Sequence, residues 1–258
     1  MFKVQRSKFN VQRSKFKVQS MKKHIPNTIT CCNLISGCIA VTYALFGNLP
    51  LALAWIVMGA VFDFFDGMTA RLLHVSSPIG KELDSLADDV TFGVAPSAIV
   101  YYELTVMDYP AFLEPLRPVL PYAAFIMAAF SALRLAKFNL DERQTTSFIG
   151  LPTPANALFW GALMVGGSQW VEASPYHVVG VIVMLLISCY LLVSEIPMFA
   201  LKFKQWGWKG NEVKYLFVVS SALLIILLGV KGIAVVIAWY VFLSALVGRR
   251  GHGTADNE

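Results

Sequence analysis

Charge-free apolar runs of about 17–22 residues recur from one end of the chain to the other, and each is long enough to cross a bilayer core as a helix. In hydrocarbon a backbone must satisfy its own hydrogen bonds, so such runs fold as helices. The expected class is all-α: a polytopic membrane helical bundle of about eight transmembrane helices. The composition agrees, with 57% hydrophobic residues, only 14% charged and a mean hydropathy of +0.62, whereas a soluble domain carries about 25% charged residues. A disordered chain is excluded, and the charge deficit argues against an ordinary cytosolic globule.

The expected spans are 29–47, 50–72, 85–107, 119–138, 154–171, 178–200, 213–229 and 231–248. The connections between them sort by charge. On one face stand Lys22, Lys23, Arg71, Lys81, Arg134, Lys137, Arg143, Lys202, Lys204, Lys209, Lys214, Arg249 and Arg250. The other face holds only Arg117 and Lys231. An excess of Lys and Arg marks the cytoplasmic side, which places both termini there.

Residues 1–20 carry six basic residues and no acid, in a repeat of the form Val-Gln-Arg-Ser-Lys-Phe. Set aside, they leave 15 basic against 16 acidic residues. The pI of about 9.0 therefore reflects the leader, and no nucleic-acid partner is expected. The leader reads as a non-functional extension ahead of a start at Met21, or else as a basic arm on anionic lipid. Cys31, Cys32, Cys38 and Cys189 lie in apolar segments without a CxxC pair, as small fillers do.

Two spans break the apolar pattern at their cytoplasmic ends. Asp63 and Asp66 are three apart, Asp84 and Asp88 four apart, so each pair shares a helix face. The short link at 72–80 suggests antiparallel neighbours whose acidic faces converge just inside the membrane. Carboxylates there are costly unless neutralised. Oxygen ligands of this number suit hard divalent cations such as Mg²⁺ or Mn²⁺, and two metals about 4 Å apart serve in-line phosphoryl chemistry. Gly67 and Ala70 lie on or near the same face and leave room for a substrate. Asp89 points about 100° away from Asp88 and is left out of the set.

The pattern from Asp63 to Asp88 is DxxDGxxARx₈GxxxDxxxD, and the chain resembles the CDP-alcohol phosphatidyltransferase family. The resemblance implies displacement of CMP from a CDP-linked lipid by an alcohol, with two divalent metals. It makes Asp63, Asp66, Asp84 and Asp88 metal ligands, Asp88 also the general base, and Gly67, Ala70 and Arg71 residues around the cytidine diphosphate. Further stretches are similar to its phosphatidylserine synthase branch: Ile25–Thr30 with Asn33, Asp84–Pro96, Arg134–Asn139, Gly150–Pro154 and Ile196–Phe199. That branch implies CDP-diacylglycerol and L-serine as substrates. The family implies a homodimer in the membrane, and the reading places it in the inner membrane of a prokaryote with its site facing the cytoplasm. The division is then a leader at 1–20, a six-helix catalytic core at 21–212, and a hairpin with a polar tail at 213–258.

Arg134 and Lys137, three apart at the end of the fourth span, are either snorkelling topology residues or a clamp on a lipid phosphate or a serine carboxylate. Arg134 sits deeper. Asn27, Thr30 and Asn33 read as the start of a helix, with Asn27 or Thr28 its cap, and Asn139 as a cap of the fourth span. Glu195 reads as an interface acid. Glycerol 3-phosphate or inositol phosphate is the alternative acceptor, although few bases stand near the acids to hold a phosphate. A prenyltransferase is disfavoured by the DGxxAR segment. A transporter is disfavoured because coupling sites lie near the midplane, and these acids lie at one interface.

Overall fold

A computed structural model of the chain describes residue 22 and residues 24–141, 148–198, 207 and 211–252. The leader, Arg143, Lys202, Lys204 and Lys209 lie outside the described residues. The protein is a helical membrane bundle. Among the described residues, His24–Leu45, Leu49–Leu73 and Leu120–Leu140 are long and apolar enough to cross a membrane, with mean hydropathies of 1.6, 1.7 and 1.4. Shorter apolar helices complete the bundle.

Helix α1 (His24–Leu45) and helix α2 (Leu49–Leu73) form the opening hairpin. The Asn48 side chain accepts from the Leu51 N–H at 3.3 Å, and Pro50 stands in the first turn, where a missing N–H costs nothing. Helix α2 stops at His74, which takes a left-handed conformation with φ 52°. Three residues on, Ser77 starts α3 (Pro78–Asp88) by accepting from the Gly80 N–H at 3.0 Å, an N-cap of the usual kind. A π-helical segment, Asp89–Val94, then joins α3 to α4 (Ala95–Val106). Pro96 lacks the N–H that a regular helix would donate there. Single π turns of this kind recur at functional sites.

A 3-10 turn at Leu120–Phe125 leads into α5 (Ile126–Leu140). Helix α6 (Thr153–Gly166) ends at Gly167, and the short α7 (Ser168–Glu172) follows, so the expected fifth span divides in two. Helix α8 (His177–Val193) ends earlier than the expected 178–200. Two forces stop it. Pro197 biases the residue before it toward an extended backbone. Strand β2 (Pro197–Met198) also pairs antiparallel with β1 (Phe148–Ile149), the link before α6. Gly150, at φ +75°, donates its N–H to Ile196 at 3.0 Å. The final hairpin, α9 (Glu212–Leu228) and α10 (Val230–His252), turns on Gly229 alone, at φ 58°, a backbone that glycine adopts without strain.

Helices α1 and α2 pack along each other, and α10 lies against α6. The core gathers Ile56, Phe92, Ile99, Met127, Trp160 and Leu185. Trp160 satisfies its indole N–H on Ser188 at 3.0 Å, and Ser188 donates to Asn156. Helices α2 and α3 both rest on α1, with a cleft between them. Gly37 and Gly59 let the π segment approach so closely that a Cβ on either would collide with Thr91.

A methyl added at Gly37 would collide with the Thr91 side chain and stand 2.9 Å from its backbone. One added at Gly67 would meet nothing within 4 Å. Gly37→Ala is expected to lower stability by about 1–3 kcal/mol, the usual cost of overpacking. Gly67→Ala should leave it unchanged. Thermal midpoints of both variants in detergent, against the parent, check this.

Candidate active site

The acids are placed by helical spacing. Asp63 and Asp66 stand on one face of α2, while Phe64 and Phe65 between them turn outward and are exposed. Asp84 comes from α3. One carboxylate oxygen from each of Asp63, Asp66 and Asp84 lies within 4.8 Å of the others. Asp88 stands at the end of α3, near enough to be repelled by Asp63, Asp84 and Asp66. The fold thus brings all four sequence-identified acids into one electrostatic cluster. Three form the tight group and the fourth sits beside it. Asp89 faces Ser131 across Gly93 instead.

Helix α1 supplies the neutral donors. The Thr30 hydroxyl donates to Asp66 Oδ2 at 2.6 Å, and the Asn33 amide donates to Asp88 Oδ1 at 3.0 Å. Both residues are buried. Thr91 in turn donates to the Asn33 carbonyl at 3.0 Å, so the π segment fixes the residue that holds Asp88. Sequence reasoning gave Thr30 and Asn33 a place at a helix start and in a branch-like stretch, and no contact with the acids. The signal present was their period: Asn27, Thr30 and Asn33 are three apart, a polar stripe on an otherwise apolar helix.

The cleft between α2 and α3 measures about 330 Å³ and is lined by Asn27, Thr30, Asp66, Gly67, Ala70 and Asp84, among others. Gly67 and Ala70 therefore do face the acids. Arg71 is exposed, in the last turn of α2. Ser77, Gly80 and Lys81 close the floor, and Lys81 Nζ donates to the Asn139 carbonyl at 2.8 Å. The Asn139 amide donates to Ser85 at 2.8 Å. It therefore ties α5 to α3, where the sequence suggested a helix cap.

Arg134 and Lys137 do not line this cleft. They border a second cavity of about 400 Å³ between the ends of α5 and α8. Arg134 is buried, at 8% exposure, and Lys137 is exposed. The two cavities are joined through α5, whose end is tied to the acid-bearing α3 by the Asn139–Ser85 hydrogen bond.

The donor set fits a hard cation. Three carboxylate oxygens converge, and buried Asp84 Oδ1 has no hydrogen-bond partner among the described residues. Burial, and then the charges of Asp66 and Asp63, push the Asp84 carboxyl up to about 7. Carboxylates assembled against such opposition are the ordinary ligands of Mg²⁺ or Mn²⁺.

Comparison with known proteins follows the same residues. The profile of the CDP-alcohol phosphatidyltransferase family matches residues 23–192. The chain is 40% identical over 131 residues to a Bacillus subtilis protein, covering 51% of this chain and 70% of that one. It is 32% identical over 202 residues to a Methanocaldococcus jannaschii protein, covering 78% and 83%. Against a Mycobacterium leprae protein it is 31% identical over 185 residues, covering 67% of this chain but 57% of the relative. Each of these relatives is named a CDP-diacylglycerol–serine O-phosphatidyltransferase. The matched region takes in α1 with its donors, both acidic helices, the cleft and the second cavity's walls at α5 and α8, and the chain belongs to the CDP-alcohol phosphatidyltransferase family.

Proposed function

We propose that the protein transfers the phosphatidyl group of CDP-diacylglycerol to the hydroxyl of L-serine, forming phosphatidylserine and CMP. The carrying observation is the convergence of Asp63, Asp66 and Asp84, with Asp88 alongside. The relatives' printed names support the acceptor. The reading sets the reaction at the cytoplasmic face of a prokaryotic inner membrane, where the basic connections gather. It assigns the chemistry to residues 21–212, followed by a hairpin and polar tail at 213–258, with a homodimer as the working assembly.

Asp63, Asp66, Asp84 and Asp88 would hold divalent metal, Mg²⁺ or Mn²⁺ and two ions by family resemblance. Bound there, it would neutralise the diphosphate and the charge that develops on the departing CMP. The remaining roles fall to side chains. Gly67 and Ala70 leave space beside the acids for the cytidine diphosphate, and Arg71 adds a cation at its edge. Asn33 fixes Asp88 by its hydrogen bond. Asp88 takes the proton from the serine hydroxyl as general base. The hydroxyl oxygen then bonds to the lipid-linked phosphorus. The bond to the bridging oxygen breaks, and CMP leaves with that electron pair. Arg134 and Lys137 border the neighbouring cavity, and of the two the buried Arg134 anchors the serine carboxylate.

The four acids are expected to act as a unit. Asp63→Asn, Asp66→Asn, Asp84→Asn and Asp88→Asn should each slow CMP release by about 10²-fold or more, the scale of losing an electrostatic group in a site. Chelation of the parent protein should abolish turnover, with Mg²⁺ or Mn²⁺ restoring it. Release of CMP from CDP-diacylglycerol with each alcohol supplied in turn checks both statements and the choice of acceptor.

Arg134→Ala should lose a charge-assisted contact of about 1.5–3 kcal/mol, seen as a rise in KM for serine of about 10–150-fold with KM for CDP-diacylglycerol unchanged. Arg134→Lys should recover only part of it, because a point charge does not reproduce a planar fork. A rise confined to CDP-diacylglycerol would move Arg134 to the lipid phosphate. No change in either would leave it a topology residue.

A further inference from the structure

The second cavity carries charge of both signs, which a site for a phosphorylated alcohol does not need. Arg134 and Lys137 enter it from α5, and Glu195 enters from the segment that leaves α8. Asp141 also lines it and is already engaged in an interaction of its own. Arg134 is buried in the cavity wall, and further along α5 Asn139 donates to Ser85 of the acid-bearing α3 at 2.8 Å, so the cationic wall stands beside the acid cluster.

Glu195 is set in place by its backbone. Helix α8 ends at Val193, and Ser194 turns the chain to an extended conformation. The Ser194 hydroxyl donates to the Leu191 carbonyl at 3.0 Å. On either side of Glu195 the chain is pinned to the α6 entry: Leu151 N–H donates to Leu191 at 2.9 Å, and Gly150 N–H donates to Ile196 at 3.0 Å. The β1–β2 pair continues the same tie. Glu195 itself is exposed, free to present its carboxylate to the cavity.

A small acceptor held through its carboxylate by Arg134, with its hydroxyl at Asp88, has one polar group left when it is an amino acid. We propose that Glu195 is a specificity-determining residue that receives the acceptor's ammonium group. The inference rests on the serine reading above. Its chemistry runs two ways. A carboxylate at this wall attracts an ammonium, and it repels the phosphate of a phosphorylated alcohol. Specificity of this sort comes from repulsion of the wrong ligand as much as from contact with the right one.

The test uses the purified full chain in mixed micelles with CDP-diacylglycerol, reading CMP release. The acceptors are L-serine and 3-hydroxypropanoate, which keeps the hydroxyl and carboxylate and lacks the amine. Glu195→Gln should raise KM for serine about tenfold, the scale of one charge-assisted contact. It should leave kcat and KM for CDP-diacylglycerol near the parent values, which also shows that the variant is folded. The parent's preference for serine over 3-hydroxypropanoate should shrink by the same factor, and Glu195→Asp should retain part of it. An unchanged KM for serine, or an equal loss for both acceptors, would overturn the role of Glu195 while leaving the serine reading intact. A parent protein that releases CMP with another alcohol but not with serine would overturn both, and that result needs no variant.

Discussion

Carboxylates on facing helices repel one another, and the repulsion grows as water is withdrawn. Asp63, Asp66, Asp84 and Asp88 accept that cost at the edge of a membrane bundle. The surrounding fold is arranged to hold them in spite of it. Helix α1 carries no acid of its own and lends donors instead, Thr30 to Asp66 and Asn33 to Asp88. Neither donor neutralises a charge. They orient the carboxylates and leave the negative charge itself in place.

Room for a ligand comes from the way α1 separates the acidic helices. Helices α2 and α3 both lean on α1, and the π segment is drawn in where Gly37 and Gly59 have no side chain. Gly67, by contrast, has open space before it. Glycine is used in two opposite senses within one hairpin: to let backbone come close at the buried side, and to keep space at the cleft. The Lys81, Asn139 and Ser85 contacts then tie the end of α5 to α3, so the cavity bordered by Arg134 keeps its relation to the acids.

The bundle around this site is built with its apolar side chains outward as well as inward. Leu216, Leu223 and Ile226 on α9, and Val183, Leu186 and Ile187 on α8, are exposed. In water such a surface would be an aggregation liability; against lipid it is the expected exterior. Inside the bundle, Trp160 donates to Ser188 and Ser188 to Asn156.

Much of this was legible in the chain. Run length and the scarcity of charge fixed the helical membrane class, because hydrocarbon leaves the backbone no other solution. Helical spacing paired Asp63 with Asp66 and Asp84 with Asp88, and the DGxxAR segment carried the family. Residues that act by reaching across were harder to read. Thr30 and Asn33 lie more than thirty positions from the acids they hold, and a polar stripe at a helix start is also what capping produces. The early end of α8 depended on a two-residue pairing with the link before α6, too short to leave a periodic signal. The split of the basic residues between two cavities, with Lys81 lining the first and Arg134 the second, depended on which way each helix is turned. Local spacing determines which side chains share a face; only the packing of α1, α3, α5 and α8 decided which of those faces meet.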